Sequence, residues 1–377
     1  MYEHWGNSVT HFDEKVETFI ADYFADPGRV CLLVAGAGFD PRSRTVARAL
    51  STAMGDRLRA VFIREERGQA AASLRDAADE NMTALRELVP NSEVWPIEIF
   101  HSDDNAPVGG NRVSDRLNHM IIAENVTDIV LDMSALSLGV AFPTARILLG
   151  RSKNQLDMSF HLMVTSNPEL DARIVGEPAA RSQAVRGFSG PVAGERDLRR
   201  AKIWLPHLAP GRRAALEKIK VTLDDLYKVC PILPFPAGDP RRADALIEEY
   251  GEEIRGDWAV DDRDYMYVSE RNPLDSYRTI DTLKLRYDKT VLGVFEPQLI
   301  LSPIGSKVMA AGAMMAAIRH DLPVHYVEAL RYDIDPAADR GETPMHLVHV
   351  WLDGPIYDSY GSQVVSAPED TVEIQGT

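Results

Sequence analysis

The stretch CLLVAGAGFDPRSRTVARAL, residues 31–50, passes from an unbroken apolar run through a turn of small residues into an amphipathic segment. Apolar residues in succession, rather than in alternation, mark a strand covered on both faces, as in a parallel sheet packed between helices. Gly36 and Gly38 let another group approach the backbone closely. Asp40 suits a helix N-cap and Pro41 a first helical position. Free amides at such a helix start favour an anion, to which Arg42 and Ser43 would add direct contacts.

The same alternation recurs along the chain. Strands are predicted at Val30–Ala35, Ala60–Ile63, Val94–Phe100, Asp128–Leu131 and Phe160–Val164, with helices at Ser43–Ala53, Ala72–Leu88, Val113–Glu124 and Thr144–Leu149. Residues 171–200 are rich in Gly and Arg without an apolar period, and read as a linker or long loop. Strands then follow at Lys202–Leu205, Val229–Leu233, Tyr265–Ser269, Gln298–Leu301 and Val324–Glu328, and helices at Arg212–Leu223, Arg241–Arg255, Pro273–Leu292 and Ser306–His320. His346–Trp351 is a last strand closing an edge, and the tail beyond Gln363 reads as loose. The expected fold is α/β, with two Rossmann-like halves whose mainly parallel sheets are flanked by helices. The expected division is residues 1–170, a linker at 171–200, and 201–377.

Composition narrows the function classes. An apolar share of 45% supplies a core, and the net charge of −16 repels phosphate backbones, which argues against direct nucleic-acid binding. The short basic clusters at Arg196, Arg199, Arg200 and Lys202, and at Arg212 and Arg213, read as solvated faces. Cys31 and Cys230 lie far apart in predicted strands, which suits buried thiols in a reducing compartment such as the cytoplasm. Neither cysteine has zinc-type spacing to histidine. His320, His325, His346 and His349 read as structural, and the longest apolar helical run, 308–318, falls short of the roughly 20 residues a bilayer span needs.

Three further stretches carry chemistry. LILSPIGSKVMAAGAMMAAI, 299–318, again sends a buried strand into a glycine-bearing loop and a helix of small residues. It places Ser302, Gly305, Ser306 and Lys307 at a strand's carboxyl end, where open α/β sheets bind ligands. Over residues 302–307 the loop resembles the Thr/Ser–Gly–Lys turn of CARF-type cyclic-oligonucleotide sensors, a likeness too short to assign a family. VSERNPLDSYRTI, 268–280, gathers Glu270, Asn272, Asp275 and Tyr277 at another strand end, which should open on the same edge. Asp132 and Ser134 end the fourth strand of the first half, facing the rim of the Gly36–Ser43 loop. At 231–244 a proline-braced corner sets Arg241 and Arg242 at a helix start.

The G-x-G-x-x-G dinucleotide pattern is met only at Gly36 and Gly38, with Pro41 in the third place. Glu65 and Glu66 lie somewhat late for the ribose-binding acid, so NAD is the weaker cofactor expectation beside a nucleotide or phosphorylated metabolite. The leading expectation is a binding protein for one anionic small molecule, responding through a protein partner or a second copy. The alternative is an enzyme on a nucleotide or nucleoside (a hydrolase, N-glycosidase or transferase) with Asp132, Glu270 or Asp275 as acid or base. A third reading leaves both turns as plain capped corners of a scaffold. On the leading expectation Arg42 and Lys307 serve the ligand, and either can be replaced without loss of stability.

Overall fold

Two windings of strand and helix follow one another in the structure, a computed structural model that describes residues 5–68, 70–155, 157–191, 200–291, 294–333 and 345–357. The predicted tail beyond Gln363, together with Arg196, Arg199 and Leu292, lies outside the described residues. In chain order the first winding holds β1 (Thr10–Phe12), α1 (Glu14–Tyr23), β2 (Cys31–Gly36), α2 (Ser43–Met54), β3 (Leu58–Glu66), α3 (Ala72–Leu88), β4 (Ser92–Glu98), α4 (Gly109–His119), β5 (Asp128–Asp132), α5 (Leu138–Ser152) and β6 (Ser159–Ser166). A connecting segment carries α6 (Pro168–Arg173), β7 (Val175–Pro178) and β8 (Gln183–Ala184). The second winding holds β9 (Arg200–Pro206), α7 (Arg213–Thr222), β10 (Leu226–Val229), β11 (Ile232–Pro234), α8 (Arg242–Glu249), α9 (Gly251–Arg255), β12 (Met266–Val268), α10 (Pro273–Val291), β13 (Glu296–Ser302), α11 (Lys307–His320), β14 (His325–Tyr326), β15 (Ala329–Asp333) and β16 (His346–Asp353).

The first sheet runs β1-β16-β6-β5-β2-β3-β4. Its five strands from β6 to β4 are mutually parallel, while β16 pairs antiparallel with both β6 and β1. From β2 the chain winds outward through β3 and β4, then returns to β5 and β6 on the other side. That is the doubly wound order with a reversal between β2 and β5. All six residues of β2 and all eight of β6 are buried, as continuous apolar runs in a covered sheet require.

The second winding repeats the scheme. Parallel β10 and β13 flank β9, and parallel β11 and β12 extend the β10 side, where Leu208 N–H donates to the Ile232 carbonyl at 2.9 Å. On the far side Leu301 N–H donates to the Pro323 carbonyl and Leu301 bridges Val324 in parallel. Its reversal point falls between β9 and β13. The fold is thus two Rossmann-like α/β halves, as expected.

Two boundaries differ from the expectation. Residues 346–353 do not close an edge of the second half: β16 inserts between β1 and β6 of the first sheet. The described part of the segment expected as a linker, residues 171–191, is built into the body, since β7 pairs with β15 and β8 with β14. Neither could be read locally, because both depend on partners far along the chain.

Helix α11 binds the halves together. Val308 to Ala317 are all buried, and one apolar cluster holds them with Val34, Leu131 and Leu162 of the first sheet and Ile203, Leu205 and Leu299 of the second. A helix apolar all round belongs in a core covered on every side. Its small residues allow α10 to come very close: a Cβ on Gly312 would lie 2.1 Å from the Pro273 carbonyl oxygen. Gly312→Val is therefore expected to cost about 3 kcal/mol through overpacking. Urea unfolding checks this, and an unchanged midpoint would refute so tight a helix contact.

Candidate functional site

Each Rossmann-like half has one reversal point, flanked by the loops that leave the two innermost strands. In the first half these loops follow β2 and β5; in the second they follow β9 and β13. All four line one cavity of about 240 Å³, through Gly38 to Arg42, Ser134 to Ser137, Leu208 to Arg212, and Ile304 to Lys307. The carboxyl edges of the two sheets therefore open onto the same space, where doubly wound sheets take their ligands.

Local chemistry shapes the two glycine-bearing turns. Gly36 ends β2 against the β5–α5 loop, where a Cβ would sit 2.8 Å from the Ala135 carbonyl oxygen. Gly38 has nothing within 4 Å of its would-be Cβ and lies on the cavity wall. Gly305 is held at φ 108°, and a Cβ there would meet the Ala209 methyl at 2.5 Å, so this corner needs glycine. Ser306 caps α11, accepting the Met309 amide through its hydroxyl. Among the described residues no hydrogen bond takes the amides of Gly38, Phe39, Gly305 or Ser306. α2 begins at Ser43, where the predicted Ser43–Ala53 helix starts, and not at Pro41; Asp40 accepts the Arg42 amide at 3.0 Å in a preceding turn.

Two buried charge triads stand in the wall. Asp40 grips the Arg42 guanidinium at 2.6–3.1 Å, and Asp171 of α6 lies 2.8 Å from its other nitrogen. Arg42 is 1% exposed, its Nη1 lies against Asp171 Oδ1, and Asp171 Oδ2 has no hydrogen-bond partner among the described residues. Arg67 is pinned between Glu65 at 2.9 Å and Glu328 at 2.7 Å, joining the first half to the second. Glu65 in turn accepts the Ser137 amide at 2.6 Å, so the ribose-acid position caps α5. Tyr326 donates to Glu328 at 2.7 Å, and the Tyr332 ring lies under Arg67 and beside Phe39.

Lys307 and Arg212 differ from these. Both line the cavity, and among the described residues neither has a carboxylate within ion-pair distance. Lys307 donates across the cleft to the Leu136 carbonyl, and Arg212 donates to the Ile174 carbonyl at 2.7 Å. Burial, reinforced by Arg42, holds the Lys307 ammonium below its ordinary value. An anion arriving beside Lys307 would favour its charged form.

Of the residues proposed for the site, Gly38, Asp40, Arg42, Ser134, Glu270, Gly305, Ser306 and Lys307 meet on this wall. Seven do not. Gly36 lies beneath the β5–α5 loop, and Ser43 is fully buried in α2. Asn272 accepts the Leu274 amide and Asp275 the Ser269 amide, so both order the entry to α10. Tyr277 is buried against Trp5 and Arg319, and Ser302 accepts the Trp204 indole N–H at 3.0 Å. Asp132 lies below the wall, bonded to the Ser134 amide and hydroxyl.

The sequence reading missed Phe39, Arg67, Ser137, Asp171, Tyr326, Glu328 and Tyr332, and it took Arg212 for a solvated face. Arg212 carried a usable signal, since it follows a predicted strand by a few residues. Glu328, at the end of the predicted strand Val324–Glu328, carried the same signal. Asp171 and Tyr332 carried none, because α6 and β15 are placed by distant partners.

No family model matches the chain, and no curated protein matches it. Among solved structures it is similar to a putative rRNA methylase from Clostridium thermocellum, at 12% identity over 41% of this chain and 68% of that one, with a TM-score of 0.24. A putative universal stress protein from Pseudomonas aeruginosa UCBPP-PA14 matches at 12% identity over 83% and 96%, TM-score 0.23. The cytoplasmic domain of a prokaryotic cation chloride cotransporter matches at 10% identity over 80% and 96%, TM-score 0.21. Likenesses this weak carry no argument about the site.

Two outcomes follow from the buried charges. Arg42→Ala strands Asp40 and Asp171 without their cation, so a loss of about 3–5 kcal/mol is expected in denaturant unfolding, in contrast to the unchanged stability expected from sequence. Burial pushes the Asp132 carboxyl up to about 7, against the pull of its Ser134 hydrogen bonds. The folded chain then holds a proton there that the unfolded chain releases, so this contribution falls as pH rises from the ordinary carboxylate range through 7. Asp132→Asn removes that dependence: it should match or exceed the parent in stability at pH 8 and gain nothing at pH 4, as paired urea curves would show.

Proposed function

We propose that the chain binds one small phosphorylated, nucleotide-like molecule in the cavity between its halves, and that the bound state is read by a protein partner or a second copy. The observation that carries this is the meeting of both glycine-bearing turns at one cavity where Lys307 and Arg212 lack carboxylate partners. Buried polar atoms in the same wall with no hydrogen-bond partner among the described residues, Asp171 Oδ2 and Ser137 Oγ, support it. Leaving such atoms unmade is costly, and a ligand with acceptors and hydroxyls would satisfy them. A volume of about 240 Å³ lies below the roughly 300–1,000 Å³ of drug-sized sites, which favours a mononucleotide or sugar phosphate over a dinucleotide such as NAD.

Contacts from both halves would make occupancy favour one arrangement of the cleft, which is what a ligand-responsive sensor or accessory subunit requires. Two buried free thiols fit work in a reducing compartment such as the cytoplasm. No helix among the described residues is long and apolar enough to cross a membrane. A second reading, catalysis on a nucleotide or nucleoside, is supported by Glu270: alone among the three carboxylates considered as acid or base, it lies in the wall. It accepts the Gly238 amide at 3.1 Å and stands 4.0 Å from Arg242.

Native mass spectrometry of the freshly purified protein, followed by calorimetric titration with AMP, ADP and ribose 5-phosphate, tests the proposal. One of these is expected to bind. Gly38→Leu should fill the cavity and abolish binding while leaving the unfolding midpoint in place. Arg212→Ala should weaken it about tenfold to a hundredfold, the worth of a charge-assisted hydrogen bond. Absence of a copurified mass and of heat with all three probes would overturn the reading, as would binding untouched by Gly38→Leu.

A further inference from the structure

A row of three histidines crosses the first sheet at the end away from the cavity. Asp128 opens β5, whereas the cavity lies beyond the last residue of that strand. His161 of β6 approaches Asp128 with Nε2 at 3.1 Å, and its Nδ1 lies 2.9 Å from His349 Nε2 of β16. His349 Nδ1 lies 2.9 Å from His11 Nδ1 of β1. Neighbouring strands thus supply neighbouring members, ending at the partly exposed His11. Helix α1 roofs the row: Phe19 stacks on His11 at 4.7 Å and on His349 at 4.3 Å.

Among the described residues, the titratable or charged groups that face the row come from α1, from the chain leading into β2 and from β2 itself. Tyr23 of α1 donates to Asp128 at 2.9 Å, and Arg29 pairs with it at 3.3 Å while covering the Tyr23 ring. Thr127 also donates to Asp128 at 2.6 Å. Lys15 bears on His11, and the buried Cys31 thiol lies in the field of Asp128. With these donors around it, and despite its burial, Asp128 is held as a carboxylate.

An ionised Asp128 sets the direction of the whole row. The carboxylate only accepts, so His161 Nε2 carries a hydrogen; a neutral His161 then accepts at Nδ1. His349 must donate from Nε2 and accept at Nδ1, and His11 must donate from Nδ1. All three rings are neutral, each with one fixed tautomer. A contact of 2.9 Å between two ring nitrogens holds one hydrogen and never two.

The intact row therefore has one place for each of the two nitrogen–nitrogen contacts, one on His161 facing Asp128, and one on His11 Nε2 at the solvent side. Three hydrogens make three neutral rings. A fourth makes one imidazolium, with the bonds reversed so that the charge can rest on His161 beside Asp128. A fifth would put two hydrogens into one contact.

We infer that this row is an acid-operated catch for the N-terminal edge: it admits a single extra proton, and a second breaks a histidine–histidine contact and releases β1 and α1 from the sheet. Burial acts in the same sense, holding His11, His161 and His349 below the ordinary imidazole value. The unfolded chain takes three protons as pH falls below about 6.5, while the folded row takes one. Stability conferred by the neutral row is thus present at neutral pH and lost on acidification. The proton-sensing function is independent of the ligand reading, since it uses none of the cavity residues.

Nitrogen-15 NMR of the full chain, titrated from pH 7.5 to 5, tests this directly. At pH 7.5 the hydrogens are expected on His11 Nδ1, His349 Nε2 and His161 Nε2. On acidification no more than one of the three becomes imidazolium while the amides of His11 and Asp13, which face β16, keep their exchange protection. Two imidazolium rings with those amides still protected would overturn the inference, as would a charged ring at pH 7.5. His11→Phe retains the stacking on Phe19 and reduces the excess protons of the unfolded chain from two to one. Each such proton lowers the folded-to-unfolded ratio about tenfold per pH unit, so below pH 6 the variant should lose stability about tenfold per unit less steeply. Parallel slopes for parent and variant would also overturn it.

Discussion

Burial of α11 on every side is the constraint on which the rest of the molecule depends. Its core-facing residues, from Val308 to Ala317, offer no polar face to water, so sheet and helix must cover them all round. One winding alone covers only one face of such a helix. The second winding must therefore close against the first, and a single apolar cluster runs through both. Because α11 starts at the reversal point of the second half, its burial also brings that point against the reversal point of the first.

The cavity is where this closure leaves space. Its wall is rich in charge but sparing with free charge. Arg42 and Arg67 each sit between two carboxylates, an arrangement in which attraction and additional hydrogen bonds offset the cost of burying ions. The same pairs staple structure together, Arg67 across the halves to Glu328 and Arg42 to the connecting helix at Asp171. Among the described residues in the wall, Lys307 and Arg212 face backbone carbonyls and have no carboxylate partner, so a ligand would find those two cations unneutralised.

The pattern of buried strands and amphipathic helices was legible because it depends on neighbours in sequence. Strands at Asp128 and Phe160 and the helix at Ala72–Leu88 fall where hydrophobic periodicity puts them. The turns at Gly38 and Gly305 were legible for a similar reason: a strand followed by glycine and a helix start is a local signal. The role of Arg42 was not. From sequence it is a cation beside an anion grip; only the fold brings Asp171 to 2.8 Å and turns it into a buried support. His349 and His161 gave no sign of touching, since 188 residues separate them.

The sequence by itself determined the class of fold, two doubly wound α/β halves, and the positions of the glycine turns, because backbone covering and turn chemistry are read within a few residues. Tertiary structure decided that β16 returns to the first sheet, that the segment after β6 pairs with the second half, and that both reversal points share one cavity. It also decided which cations keep their charge free. These depend on which distant surfaces meet when an all-apolar helix is covered, and no local pattern records that meeting.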